Sequence, residues 1–330
     1  MTDAALFFTD ERTVEHRPIE VGSPAADELL VETQVSAISA RTELLVYRDE
    51  VPTEIPLDET IDSLDDDASY PVRYGYAAVG TVVETGSAVA EEWLGREVFA
   101  FEPHQTRFCA AADSVVVLPE TVTVGAGALF PTVETATNIV LDSQPRLGEQ
   151  VVVFGAGVVG CCTTRLLSAF PLDRLVVVDP LERRREVAIE MGADEAVAPE
   201  AVADRVADVD LAIELSGQPD VLDDAIEVVG YDSRIVVGSW YGTKRAPIDL
   251  GSHFHRDRIE LVSSQVSTIA PELRGRWDTD RRTDCALTWL DRIDTERLIS
   301  HRIPFDEGAE AYAQLDTTPE SMRQVLLTYA

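Results

Sequence analysis

Along the first 120 residues, apolar and polar positions alternate in short runs, the period-2 pattern of strands with one buried face. Ala4–Phe8, Thr13–Ile19, Glu28–Ser36, Val79–Glu84, Glu97–Phe101 and Ser114–Leu118 fit it, with turns at Gly22-Ser23-Pro24 and Gly86-Ser87. Near Gly125 the period lengthens, and Ala126–Asp142 reads as one long apolar helix. From Glu149 onward, continuous apolar runs alternate with amphipathic ones. Strands are expected at Glu149–Phe154, Leu175–Asp179, Glu195–Val197, Val209–Leu215, Arg234–Trp240 and Arg258–Val266. Helices fall between them, among them Pro180–Met191, stopped by Gly192, and Pro219–Val229, closed by Gly230. Six strands alternating with helices predict an α/β fold with a doubly wound parallel sheet. After residue 277 the alternation stops. A helix over Asp278–Ile293, a strand at Arg302–Phe305, a helix at Glu307–Leu315 and a strand at Arg323–Tyr329 follow. The expected organisation is a β-rich domain over 1–122, a nucleotide-binding domain over 123–276, and a tail over 277–330 that returns to complete the first.

One stretch carries chemistry in its spacing. The run Val151-Val152-Val153-Phe154 is a buried strand. It meets Gly155-Ala156-Gly157-Val158-Val159-Gly160, then an apolar helix, then Leu175-Val176-Val177-Val178-Asp179. This is a dinucleotide-binding fingerprint in its strand–turn–helix–strand context. Gly155 permits the tight turn, Gly157 lets backbone approach a pyrophosphate, and Gly160 lets the helix pack close to the strand. Val158 and Val159 open the helix whose N-terminal amides face the phosphates. Asp179, 19 residues beyond Gly160, is placed to accept from the adenosine ribose hydroxyls and to repel a 2′-phosphate. NAD is therefore the expected cofactor and NADP the alternative, since Arg183, Arg184 and Arg185 follow closely. Arg184 is expected near the adenine.

Charge narrows the partners. The 330 residues hold 60 acids against 27 bases, a net of −33, and Lys244 is the one lysine. The acids are spread along the chain, with a dense run across Leu57–Ser69, as on a solvated surface. Such self-repulsion is tolerable where salt shortens the Debye length to a few ångström, so a high-salt, cytoplasmic protein is expected. A surface without a basic stripe excludes nucleic acid and anionic membrane as partners, leaving a small-molecule substrate. No span of about 20 apolar residues and no basic-then-apolar leader is seen. The four cysteines form no CxxC pair, and Cys161-Cys162 read as core packing.

The chain resembles the medium-chain dehydrogenase/reductase family, the alcohol and sorbitol dehydrogenase relatives, over nearly its whole length. The resemblance rests on Ala40-Arg41-Thr42-Glu43-Leu44-Leu45-Val46-Tyr47, on Tyr74-Gly75-Tyr76-Ala77-Ala78-Val79-Gly80, on the glycine fingerprint, on Gly192-Ala193-Asp194 and on Arg302-Ile303-Pro304-Phe305. It implies a GroES-like catalytic domain and a Rossmann domain, with nicotinamide and substrate held between them. The family's zinc-ligating Cys-Gly-Thr-Asp corresponds to Ala40-Arg41-Thr42-Glu43 and its Gly-His-Glu to Gly75-Tyr76-Ala77, while Pro131 stands at the third ligand. Alanine, tyrosine and proline do not supply zinc's N, S or carboxylate donors. Only Glu43, His104 and Glu134 remain nearby as ligating side chains, so no zinc is expected. Glu102–Cys109 is read as a short loop in place of the family's structural-zinc lobe. The resemblance puts Thr42 on the substrate oxygen, Tyr76 in the vacated histidine position, His104 in the short loop and Arg41 against the diphosphate. The implied activity is zinc-independent hydride transfer between nicotinamide and an alcohol/carbonyl pair. An NADPH-dependent quinone or enone reductase and a non-catalytic nucleotide-binding protein are the alternatives. Relatives imply a homo-oligomer, with Arg234–Trp240 and Arg258–Val266 at a shared sheet edge.

Overall fold

The computed structural model describes residues 3–51 and 69–330, so the acidic stretch at 57–68 lies outside the described residues. It divides into two compact units, Met1–Pro131 with Thr295–Ala330, and Thr132–Asp294.

The second unit is built on a parallel sheet. Its strands run in the order Glu195–Val197, Arg174–Val178, Gln150–Phe154, Val209–Glu214, Val229–Val237, Glu260–Ser263. Every neighbouring pair is parallel. In chain order this is 3-2-1-4-5-6. The sheet therefore reverses direction of growth beside its first strand, which opens a crevice outside the carboxyl ends of the first and fourth. The β-branched runs are the cause: Val151, Val152 and Val153 have no exposed surface, as expected of strands covered by helices on both faces. The fifth strand starts earlier than its hydrophobic run suggests. Gly230, expected to close the preceding helix, instead lies within the strand, and Val229 pairs with Val209 across a register shift. The sixth contracts to Glu260–Ser263. Just before it, His253–Arg256 makes one helical turn, with His253 Nδ1 2.7 Å from Asp257 on the surface.

Two expected boundaries move. The long apolar helix is interrupted: Val124–Gly127, capped by Thr123, is followed by Phe130–Ser143, with Pro131 at its start where a missing N–H costs nothing. The helix Thr279–Leu290, expected to return to the first domain, stays with the parallel sheet's unit. Arg282, 4% exposed, holds it there. Its guanidinium donates to Glu134 Oε1 at 3.1 Å, to Asn138 Oδ1 at 2.9 Å and to the Val266 carbonyl. An amphipathic stripe states that a helix packs, not against which neighbour.

In the first unit, Ile299–Pro304, Gln324–Thr328, Glu28–Ile38, Ala78–Thr85, Glu97–Ala100 and Val116–Val117 lie side by side. Arg107–Ala111 pairs with Glu28–Ile38, so the last three residues of the expected short loop are strand, its buried Phe108 and Ala110 alternating with partly exposed neighbours. The chain's last strand runs antiparallel to Glu28–Ile38, with Val325 opposite Ile38, and closes this sheet. A hairpin of Ala4–Asp10 and Thr13–Pro18 packs beside it through Phe8, whose ring meets Tyr312 edge-on at 5.1 Å. No helix among the described residues is long and apolar enough to cross a membrane.

Candidate functional site

The glycine turn sits at the carboxyl end of Gln150–Phe154. Its three glycines are glycine for three different reasons. Gly155 has φ +102°, and a Cβ there would meet the Leu215 carbonyl oxygen at 2.6 Å. Gly160 lies on the helix Val158–Leu167, where a Cβ would come within 1.9 Å of the Gly155 carbonyl oxygen. Gly157 meets nothing within 4 Å and has φ −67°, which any residue adopts. The folded chain itself has no need of a glycine at 157. Gly157, Val158 and Val159 are also the partly exposed residues in an otherwise buried stretch, and Gly157 has no side chain to cap the helix. Its first amides are thus left for an anion.

Asp179 closes the neighbouring strand and is 2% exposed. One carboxylate oxygen accepts from the Ala156 amide inside the glycine turn at 2.8 Å, the other from the Leu181 amide at 2.9 Å. The acid and the turn therefore form one piece. Arg184 Nη1 lies 3.9 Å from the same carboxylate, while Arg185 donates to the carbonyls of Asp179 and Pro180. Across the crevice, buried Glu214 accepts from the Ser216 amide and from the Tyr241 hydroxyl at 2.6 Å. Lys244 donates to the Gly217 carbonyl at 3.1 Å. Sequence reading missed this second wall, because Glu214 looked like the end of an ordinary strand.

In the first unit, Thr42 and Tyr76 come together and His104 stands behind them. The helix Ala40–Tyr47 begins after Ser39, so Thr42 lies in its first turn rather than capping it, beside Arg41. The single Tyr76 O–H donates to Ser39 Oγ, and Thr42 Oγ1 lies 3.2 Å from the same phenol oxygen. Tyr76 is half-buried, so this cluster of three hydroxyls reaches the surface. Ser39 was not anticipated; its only signal was a small polar residue one position before the helix.

His104 has no exposed surface. Its Nε2 lies 3.0 Å from Glu43 Oε2 and its Nδ1 2.6 Å from Ser36 Oγ, which in turn is 2.8 Å from the Tyr329 hydroxyl. Glu43, also fully buried, accepts from the Tyr312 hydroxyl and, through Oε1, from the Ser39 amide at 2.7 Å. Glu43, His104 and Ser36 have the composition of a nucleophilic triad. All three are 0% exposed, so no substrate reaches the serine oxygen and the chain is internal scaffolding. Burial pushes the Tyr312 phenol well above its usual range, and the Glu43 charge adds to this, so it remains a donor. Nearby, burial raises Glu102 to about 7 against the opposing pull of Arg73 and a hydrogen bond from Gln105.

Comparison with known proteins agrees with this architecture. The family model for zinc-binding dehydrogenases matches residues 158–279. D-guloside 3-dehydrogenase of Escherichia coli (strain K12) is 24% identical over 271 residues, covering 78% of this chain and 77% of that protein. Sorbitol dehydrogenase of Bombyx mori is 25% identical over 278 residues, covering 73% and 78%. These likenesses support the medium-chain dehydrogenase/reductase family as the one the chain resembles. Among solved structures, the NADH complex of rspB from E. coli CFT073, described as a short chain alcohol dehydrogenase, superposes with a TM-score of 0.80 at 19% identity, covering 99% of this chain and 100% of that one. A putative zinc-binding dehydrogenase from Sinorhizobium meliloti 1021 bound to NADP gives 0.80 at 19% identity, covering 99% of each. The fold is that of the medium-chain dehydrogenases, a Rossmann unit with a GroES-like one.

Ala40, Tyr76, Ala77 and Pro131, where the resemblance would put zinc ligands, carry no thiol, imidazole or carboxylate. The three remaining ligating side chains are engaged by neighbours, Glu43 with His104 and Glu134 with Arg282. Among the described residues, no group of three or more His, Cys, Asp and Glu side chains is arranged to hold a metal ion.

Proposed function

We propose that this medium-chain dehydrogenase is a zinc-independent, NAD-dependent oxidoreductase of an alcohol/carbonyl pair, working as a cytoplasmic homo-oligomer on a small-molecule substrate. Gly157 supports a diphosphate over the open amides of Val158–Leu167, and Asp179 supports a free 2′-hydroxyl over a 2′-phosphate. Bound nicotinamide supplies or accepts the hydride. The chain's own part is the proton on the substrate oxygen. In the reducing direction the Tyr76 phenol gives its proton to that oxygen. The Ser39 hydroxyl, which accepts from the phenol in the resting arrangement, rotates and with Thr42 donates to the phenolate left behind, and a proton from solvent restores the phenol. Oxidation runs these steps backwards.

The observation that carries the reading is this half-buried hydroxyl cluster, a polarisable donor at the positions where relatives keep a metal. It is tested by titrating NADH and NADPH fluorescence in concentrated KCl, then assaying secondary alcohols and ketones beside quinones and enones, with metal content determined on the same sample. Tight NADH binding is expected, with ketone reduction unaffected by chelator. Tyr76→Phe is expected to lower turnover about 100-fold while leaving NADH affinity within a factor of about two. Turnover of quinones alone, or activity that tracks bound zinc, would overturn it.

A further inference from the structure

The site as read so far uses Tyr76, Thr42 and Ser39, and leaves a fully buried carboxylate–imidazole pair unexplained beside them. A buried ionisable pair costs several kcal/mol of desolvation per charge unless its geometry and hydrogen bonding are complete. Here they are. With Tyr329 donating to Ser36, Ser36 to His104 Nδ1, and His104 Nε2–H to Glu43, every O–H and N–H along the chain has an acceptor. Glu43 also accepts from Tyr312 and from the Ser39 amide. Burial raises both Tyr312 and Tyr329, which keeps them protonated as this ordering requires. Four segments distant in sequence converge on two side chains.

The two partners of the pair reach the two ends of one hydrogen bond. Glu43 Oε1 holds the backbone amide of Ser39 at 2.7 Å, and Ser39 Oγ is what the Tyr76 phenol donates to. The His104 ring lies flush against Gly75, the residue before Tyr76: a Cβ on Gly75 would sit 2.6 Å from His104 Cδ2 and Nε2. Gly75 also has φ +113°, so glycine is demanded there both by backbone conformation and by the imidazole. The link from Glu43 to Ser39 runs through a backbone amide, which relays no proton.

We infer that Glu43 and His104 are positioning residues, a single buried pair that fixes the acceptor and the donor side of the Ser39–Tyr76 hydrogen bond at once. The inference rests on the reading of Tyr76 as the proton-carrying group, but its geometry is independent of any bound nucleotide. The pair does for the hydroxyl cluster what surrounding hydrogen bonds do for any preorganised group: it removes alternative rotamers before substrate arrives.

The test uses the full chain labelled with 3-fluorotyrosine, in concentrated KCl and without nucleotide. The Tyr76 resonance in the 19F spectrum is assigned by its loss in Tyr76→Phe. In Glu43→Gln the amide presents N–H where Tyr312 and His104 donate, and in His104→Leu the donor to Glu43 is gone. Both are expected to shift and broaden the Tyr76 line. His104→Gln, whose amide still donates to Glu43, is expected to restore a sharp line. Val31→Ala, in the separate core formed with Val82 and Phe108, lowers the melting temperature without moving it. An unmoved line in folded Glu43→Gln or His104→Leu overturns the inference, as does a line that Val31→Ala moves equally. Should Glu43→Gln not fold, Tyr312→Phe withdraws a single donor from Glu43 while keeping the ring, and an unmoved line there is equally decisive. NADH titration of the same samples separates the two levels: a wild-type protein without NADH affinity defeats the functional reading and leaves the 19F result standing.

Discussion

At the scale of single residues, the glycine turn separates what folding requires from what binding requires. Gly160→Ala places a methyl 1.9 Å from a carbonyl oxygen, and is expected to destabilise the fold by about 3 kcal/mol or cause a local rearrangement. Gly157→Ala puts a methyl into open space and is expected to change stability by no more than about 0.5 kcal/mol, yet to weaken NADH binding about tenfold or more. Denaturant midpoints and fluorescence titration on the two variants check this. Equal affinity in wild type and Gly157→Ala would mean that the diphosphate lies elsewhere. Glu102 yields a pH prediction of definite sign. Its folded pKa of about 7 lies above that of an unfolded glutamate, so the native state keeps a proton that the unfolded chain releases. Its contribution is intact below about pH 4.5 and is lost as pH rises towards 7. Glu102→Gln is expected to gain stability relative to wild type across that window, by on the order of 2 kcal/mol, and chemical denaturation at pH 5 and pH 8 measures it.

At the scale of elements, the strand Glu260–Ser263 ends the parallel sheet with all four residues exposed, Leu261 and Val262 at 42% and 38%. An apolar sheet edge of this kind is a pairing surface, and a second copy of the chain is the occupant proposed here. Light scattering in concentrated KCl is expected to give at least a dimer, and Leu261→Arg to shift it towards monomer with the melting profile of the parallel-sheet unit retained. A wild-type monomer at micromolar concentration would remove the proposal. Much of the element pattern was legible from periodicity, because β-branched runs and amphipathic stripes state how each segment is buried. Arg107–Ala111 was not legible, since a five-residue strand with arginine and cysteine on its outer face resembles a loop. Thr279–Leu290 was legible as a helix but not in its allegiance, which a single buried arginine decides.

At the scale of the whole molecule, a net charge of −33 predicts a stability that depends on salt. The two units bury ordinary cores, so the repulsion is carried by the surface and falls as the Debye length shortens from about 10 Å at 0.1 M salt to about 3 Å at 1 M. The melting temperature is expected to rise by roughly 10 °C between 0.2 M and 2 M KCl, followed by scanning calorimetry. A melting temperature that is flat or falls with salt would contradict a high-salt origin.

The sequence by itself determined the features whose cause is local. Among these are the glycine turn with its distal acid and the order of strand and helix in the parallel-sheet unit. Each is a property of residues near one another in the chain, or of a period that a short window displays. Only the tertiary structure decided that Ser39 joins Thr42 and Tyr76, that Asp179 bonds into the glycine turn, and that His104 is buried scaffolding against Glu43. Those contacts join residues 23 to 61 positions apart. A histidine with no exposed surface and a histidine facing substrate are the same letter until the packing around them is known.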